Sequence, residues 1–142
     1  MSEFVRGSRE TALRPGELIR SISLPASAPS EYVWQRVRPA NDISQVGVAV
    51  AFGAEAPFWR IALGGAWPVP VRLTSAESLL TGRTPTEVEV ELAAQEAARA
   101  SPFLTDKRAT EAYRRRLVTT LTRRALRSTL ALVPAVPSTR AG

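Results

Sequence analysis

Phe58-Trp59-Arg60-Ile61-Ala62-Leu63-Gly64-Gly65-Ala66-Trp67-Pro68-Val69-Pro70-Val71-Arg72-Leu73 is the stretch that decides the fold. An apolar run that meets a Gly-Gly pair and then a Pro-x-Pro step reads as a strand ending in a fixed, close-approach turn. Glycine permits backbone angles and contacts that a Cβ forbids, and each proline locks φ and removes a donor. Upstream of it, residues 17–25 alternate Leu18, Ile22 and Leu24 with polar positions and predict a strand. Residues 31–38 are β-prone, and Arg38-Pro39-Ala40-Asn41-Asp42 turns the chain. Residues 43–52, rich in Val and Ala, predict a buried strand, and residues 58–64 the next. Strands on short links suggest an antiparallel meander.

The second half changes character. Thr74-Ser75-Ala76-Glu77 offers an N-cap signal for a short helix reaching Leu80 and stopping at Gly82. Thr84-Pro85-Thr86-Glu87 opens a second helix, with Val88, Leu92 and Ala98 among its apolar positions and Ser101-Pro102 as its end. A third starts at Asp106 or Thr110. Tyr113, Leu117, Leu121, Ala125 and Leu132 form its apolar stripe, and Pro134 and Pro137 end it. The expectation is therefore an α+β domain over residues 16–133. Its small antiparallel sheet of three or four strands is followed by three helices packed on one face. Residues 1–15 read as a polar lead-in and residues 134–142 as a tail.

Composition narrows the chemistry. The 142 residues contain neither cysteine nor histidine, which excludes disulfides, thiolate chemistry, a Ser-His-Asp triad and a His-based zinc site. No metal site is expected. Neither a targeting segment nor a run of transmembrane length is visible, so a cytoplasmic protein without a membrane partner is expected. The net charge is +6, with eighteen arginines against the single Lys107. That excess reads as codon bias of a GC-rich genome. Eight basic residues fall between Lys107 and Arg127, but no aromatics interleave with them, and a solvated helix face is expected rather than a nucleic-acid surface.

Several fragments together resemble one family, the C-terminal domain of the flavoprotein subunit of molybdenum hydroxylases such as carbon monoxide dehydrogenase and xanthine dehydrogenase. They are Thr11-Ala12-Leu13-Arg14-Pro15-Gly16-Glu17-Leu18-Ile19, Asn41-Asp42-Ile43, the series from Ala62 to Leu73, and Asp106-Lys107-Arg108-Ala109 leading to Tyr113-Arg114-Arg115 and Arg124-Ala125-Leu126. The resemblance implies the same sheet-then-helices fold. It also implies a domain that closes over part of a flavin whose diphosphate is held by Gly-rich loops of a preceding domain. Those loops are not among these residues. Trp34 stands where the family carries a flavin-contacting lysine, and Trp67 where it carries a small residue before proline. Ile19 matches another flavin-adjacent position. The expectation drawn is that the flavin role is lost and no cofactor is bound.

The candidate site follows from these departures. Tyr32, Arg38 and Asp42 are the candidate catalytic residues, as hydrogen-bond donor, oxyanion partner and carboxylate base. Trp34, Arg36, Gly64, Gly65 and Trp67 are the candidate substrate-binding residues: indoles pack an apolar body while Arg36 and the Gly-Gly amides meet an oxygen. Core packing or an oligomer interface is the alternative use of Trp34, Trp59 and Trp67. Two functions follow. One is a freestanding binder of a small organic molecule, a homodimer acting as a cofactor-independent cyclase or isomerase in specialised metabolism. The other is a detached flavoprotein-subunit domain working among the subunits of a molybdenum-hydroxylase complex.

Overall fold

A computed structural model describes residues 3–23, 28–40, 42–53, 58–80 and 84–133. Leu24, Pro25, Asn41, Gly82, Pro134 and Pro137, which serve above as strand end, turn and stops, lie outside the described residues. The chain runs β1 (Val5–Gly7), β2 (Glu10–Thr11), β3 (Ser30–Gln35), β4 (Val46–Phe52), β5 (Trp59–Gly64) and β6 (Val71–Arg72). Then come α1 (Thr74–Glu77), α2 (Glu87–Ala100) and α3 (Glu111–Leu132). β3 to β6 form an antiparallel sheet in chain order, the meander expected from the short links.

The strand membership differs from the sequence reading at both edges. Residues 17–23 form no strand. Leu18, Ile19 and Ile22 stand more than half exposed, because no described strand pairs with them and their alternation meets no core. The fourth strand is instead the two-residue β6, folded back on β5 with Ala62 opposite Arg72. The lead-in also has structure: β1 and β2 close a hairpin around Arg9, which adopts φ 62°.

Strict alternation builds the core. Val46, Val48, Val50 and Phe52 of β4 and Trp59, Ile61 and Leu63 of β5 point to one side and are buried. Trp59 is fully enclosed, with its ring 5.1 Å from Phe52. α3 lies across β3 and β4, and α1 sits against β5. α2 is the outer helix, resting on α1 and α3.

The helices carry local start signals, though their faces depart from expectation. Thr86 caps α2 in a reciprocal box with Glu89, which leaves Pro85 just outside the helix. Thr110 caps α3, its hydroxyl accepting from the Tyr113 N–H. The inner face of α2 is Val90, Ala93, Ala94, Ala97 and Ala98, while Val88 and Leu92 face outward. Small residues win this face because α2 packs closely against two helices, and alanine permits short axis separations. On α3 the buried set is shifted to Arg114, Val118, Leu121, Thr122, Ala125, Leu126 and Thr129. Tyr113 and Leu132 are consequently exposed rather than part of the stripe. α1 starts after Leu73, whose side chain offers no acceptor, and Glu77 turns inward to the Ile61 N–H instead of completing a box with Thr74.

Candidate functional site

The same alternation that buries the valines leaves a second sheet face open. Tyr32 and Trp34 of β3 project there, about half exposed, with ring centroids 5.5 Å apart and planes at 19°. Register places Trp34 beside Gly47 and Gly47 beside Gly64, and Tyr32 beside Ala49 and then Ala62. The floor beside the aromatic pair is therefore made of side chains no larger than a methyl group. The Tyr32 hydroxyl lies over Gly47, in the space a Cβ would take. A groove of about 300 Å³ results, with Tyr32 on one side, Ala49, Ala51 and Ala62 beneath, and Arg60 and Arg72 on the other.

Arg72 is held by Glu77, whose carboxylate accepts from Nε and Nη2 at 2.8 Å each. Glu77 is buried, and its Oε1 also accepts the Ile61 N–H at 2.8 Å. One carboxylate thus fastens α1 to β5 and to a groove wall.

The turn after β5 is fastened from the other direction. Gly65 has φ 76°, the left-handed region, and a Cβ on it would stand 3.1 Å from the Ser44 carbonyl oxygen. Its own carbonyl accepts from Arg114 Nη1 at 2.6 Å. Arg114 is almost wholly buried. The same Nη1 donates to the Gln45 carbonyl, and Nη2 donates to Asp106 at 2.7 Å.

The residues proposed from sequence fall into separate places. Tyr32, Trp34 and Gly64 share the open face. Arg38 and Asp42 belong instead to a cleft of about 450 Å³ with Lys107 and Arg108. Arg36 is half-buried and lines neither cavity, and its carbonyl accepts from the Gln35 side chain. Gly65 is committed to its turn, and Trp67 emerges beyond it partly exposed. Asp42 closes the β3–β4 connection: Oδ2 accepts from the Val37 and Arg38 N–H groups and Oδ1 from Ile43, all within 2.9 Å. Those backbone bonds, Arg38 foremost, hold its carboxyl below the ordinary range, which makes it a weak base. Among the described residues no group of three His, Cys, Asp or Glu is placed to hold a metal.

Arg114, Glu77 and Gly47 escape a reading by sequence alone. Arg114 sits in an Arg-Arg-Arg run where nothing marks one guanidinium as inward. The rest of that basic helix is largely spent on acidic partners. Arg123 forks onto Glu91 of α2 at 2.6 and 2.8 Å, Arg127 pairs with Glu87, and Arg115 pairs with Glu111. The Arg123 fork, helped by Gln95, pulls the Glu91 carboxyl from 4.5 to about 2.

These pairs set an acid limit. Glu91 and Glu87, through their arginines, and Asp106, chiefly through the Arg108 backbone N–H, have lowered folded-state pKa values, so their contribution is present above the ordinary carboxylate range and lost as pH falls below it, for Glu91 down to about 2. The urea midpoint is expected to fall steadily from about pH 4.5 to about pH 2. Arg123→Gln is expected to flatten that fall. An unchanged slope in the variant would show that the pair does not carry it.

Residues 31–129 match the family described as CO dehydrogenase flavoprotein C-terminal domain. The chain belongs to that family. It is 36% identical over 91 residues to xanthine dehydrogenase from Emericella nidulans, an alignment covering 58% of this chain and 7% of that protein. Carbon monoxide dehydrogenase from Hydrogenophaga pseudoflava superimposes with a TM-score of 0.76 at 26% identity, over 91% of this chain and 47% of the other. Quinoline 2-oxidoreductase from Pseudomonas putida 86 gives 0.78 at 24% identity, over 91% and 47%, a likeness of fold. The chain spans about half the length of these structural relatives. The α+β fold and the family resemblance drawn from sequence both hold.

Proposed function

We propose that this chain serves as the C-terminal portion of a flavoprotein unit in a molybdenum-hydroxylase-type oxidoreductase, its open sheet face laid against a flavin-binding polypeptide. One observation carries the reading: a family member has one sheet face covered by helices and the other, among the described residues, bare, with Tyr32 and Trp34 standing on it over a floor of Gly and Ala. Apolar faces of this kind on soluble proteins mark contact sites. The exposed Leu18, Ile19 and Ile22 add apolar surface that a neighbouring polypeptide would cover. The structural relatives are about twice as long as this chain, which leaves length enough for such a neighbour.

The freestanding cyclase or isomerase loses weight by comparison. Its donors were to converge on the Tyr32–Trp34 pair, whereas Arg38 and Asp42 line another cavity. A homodimer closing the open face on a second copy, around a small organic ligand, is the competing cover. A cytoplasmic assembly belongs to the proposed reading, and no described helix is long and apolar enough to cross a membrane.

The test is purification of the tagged chain from its own host, followed by flavin and molybdenum assay and sizing. Co-purifying subunits with FAD and molybdenum are expected. The isolated chain titrated with FAD is expected to show neither quenching nor thermal stabilisation. A chain that purifies from its host as a homodimer without flavin or molybdenum overturns the assignment in favour of the freestanding binder.

A further inference from the structure

The second cavity is independent of the open face. It lies between the β3–β4 connection and the loop that precedes α3, and its volume of about 450 Å³ is that of a small-ligand site. Two carboxylates build it, and the hydrogen bonds they accept fix its walls while leaving both charged. Asp42 accepts three backbone N–H groups and thereby fixes the segment bearing Arg38. Asp106 Oδ1 accepts from the N–H groups of Arg108 and Ala109 and from Arg114 Nη2, fixing the loop that bears Lys107 and Arg108. The buried Gln45 ties the two halves together by donating from Nε2 to the Arg108 carbonyl at 2.7 Å.

Three cations stand against the one Asp42 carboxylate in the lining, so the cleft carries net positive charge. Six arginines form ion pairs among the described residues, and neither Arg38, Lys107 nor Arg108 belongs to a pair. All three cations line the cleft, and the exposed Val37 and Ile43 give it an apolar wall. Cations from two separate, pre-fixed segments suit an anion with several oxygens, and Arg in particular favours phosphate geometry. A single carboxylate would satisfy only part of this set.

We propose that this cleft binds the phosphate groups of a soluble phosphorylated small molecule of about nucleotide size, through Arg38, Lys107 and Arg108, with Val37 and Ile43 against its apolar part. The assignment does not rest on the flavoprotein reading. Sodium pyrophosphate and AMP are the probes, titrated by calorimetry and by amide shifts at low ionic strength. Saturable one-to-one binding is expected for both, with Val37 and Ile43 shifting only with AMP. Arg38→Gln/Lys107→Gln is expected to weaken binding at least tenfold, and Arg108→Gln alone severalfold. Arg6→Gln/Arg116→Gln makes the same change in net charge on exposed residues outside the cleft and is expected to leave affinity within twofold. None of these side chains forms an ion pair or side-chain hydrogen bond with another described residue, Arg38 giving up only its attraction to Asp42, so all variants are expected to fold as the parent does, as circular dichroism will verify. Equal weakening in both double variants would reduce the effect to overall charge and overturn the site. Absence of saturable binding by either probe would also overturn it, leaving the cations to face an acidic surface of another protein.

Discussion

Arg114→Leu is expected to cost the domain about 3–5 kcal/mol, the range for removing one partner of a buried charged cluster. The guanidinium reaches the Gln45 carbonyl before β4, the Gly65 carbonyl after β5 and the Asp106 carboxylate ahead of α3. Leucine has the bulk to occupy the space but leaves two turn carbonyls and a carboxylate short of a donor. Arg114→Lys is expected to recover little, because one ammonium group cannot span three acceptors set for a planar fork. Asp106→Asn keeps an acceptor oxygen and is expected to cost about 1–2 kcal/mol. Urea unfolding measures all three. A loss below about 1 kcal/mol for the leucine variant would mean that water replaces the guanidinium without penalty.

The second large effect belongs to Glu77. Glu77→Ala removes the acceptor of the Ile61 N–H inside the sheet and the fork that holds Arg72, and a cost of about 3 kcal/mol is expected. Glu77→Gln retains one oxygen for the Ile61 N–H, while Arg72, half exposed, turns to water, so about 1 kcal/mol is expected. Amide exchange separates this role from general loosening. The Ile61 amide should lose protection in Glu77→Ala beyond the global change and keep it in Glu77→Gln. Uniform loss along β5 in both variants would refute the local bond as the cause.

Both residues show what a sequence conceals. The strands over Val46–Phe52 and Trp59–Gly64, the left-handed turn and the two long helices are legible because each announces itself locally. The signals are a run of β-branched residues, a Gly-Gly step, and a Thr cap before a helical stretch. Residues 17–23 carry an equally good local signal and form no strand, since a strand exists only with a partner beside it. β6 escapes notice for the opposite reason: two residues give no periodicity, and only pairing with Ala62 and Leu63 makes them a strand.

The candidate site divides along the same line. Tyr32 and Trp34 share a face because strand period 2 requires it, and that much is readable. Arg38 lies four residues beyond Trp34, yet the turn closed by Asp42 carries it to a different cavity. Its companions Lys107 and Arg108 come from far along the chain, where composition marks them only as part of a basic run. Sequence distance does not reveal that juxtaposition.

The position of α3 has a consequence for synthesis. It is the last described element, yet it covers the valines of β4, and its Arg114 closes contacts spanning 69 and 49 residues. While the ribosome still holds residues 111–132, the sheet has neither its roof nor the donor for its turn carbonyls. Long-range closure of this kind comes late. A nascent chain lacking those residues exposes Val46, Val48 and Val50 together, a surface that chaperones and proteases recognise. Premature termination anywhere before the final helix should therefore yield degradation products, not a shorter folded domain.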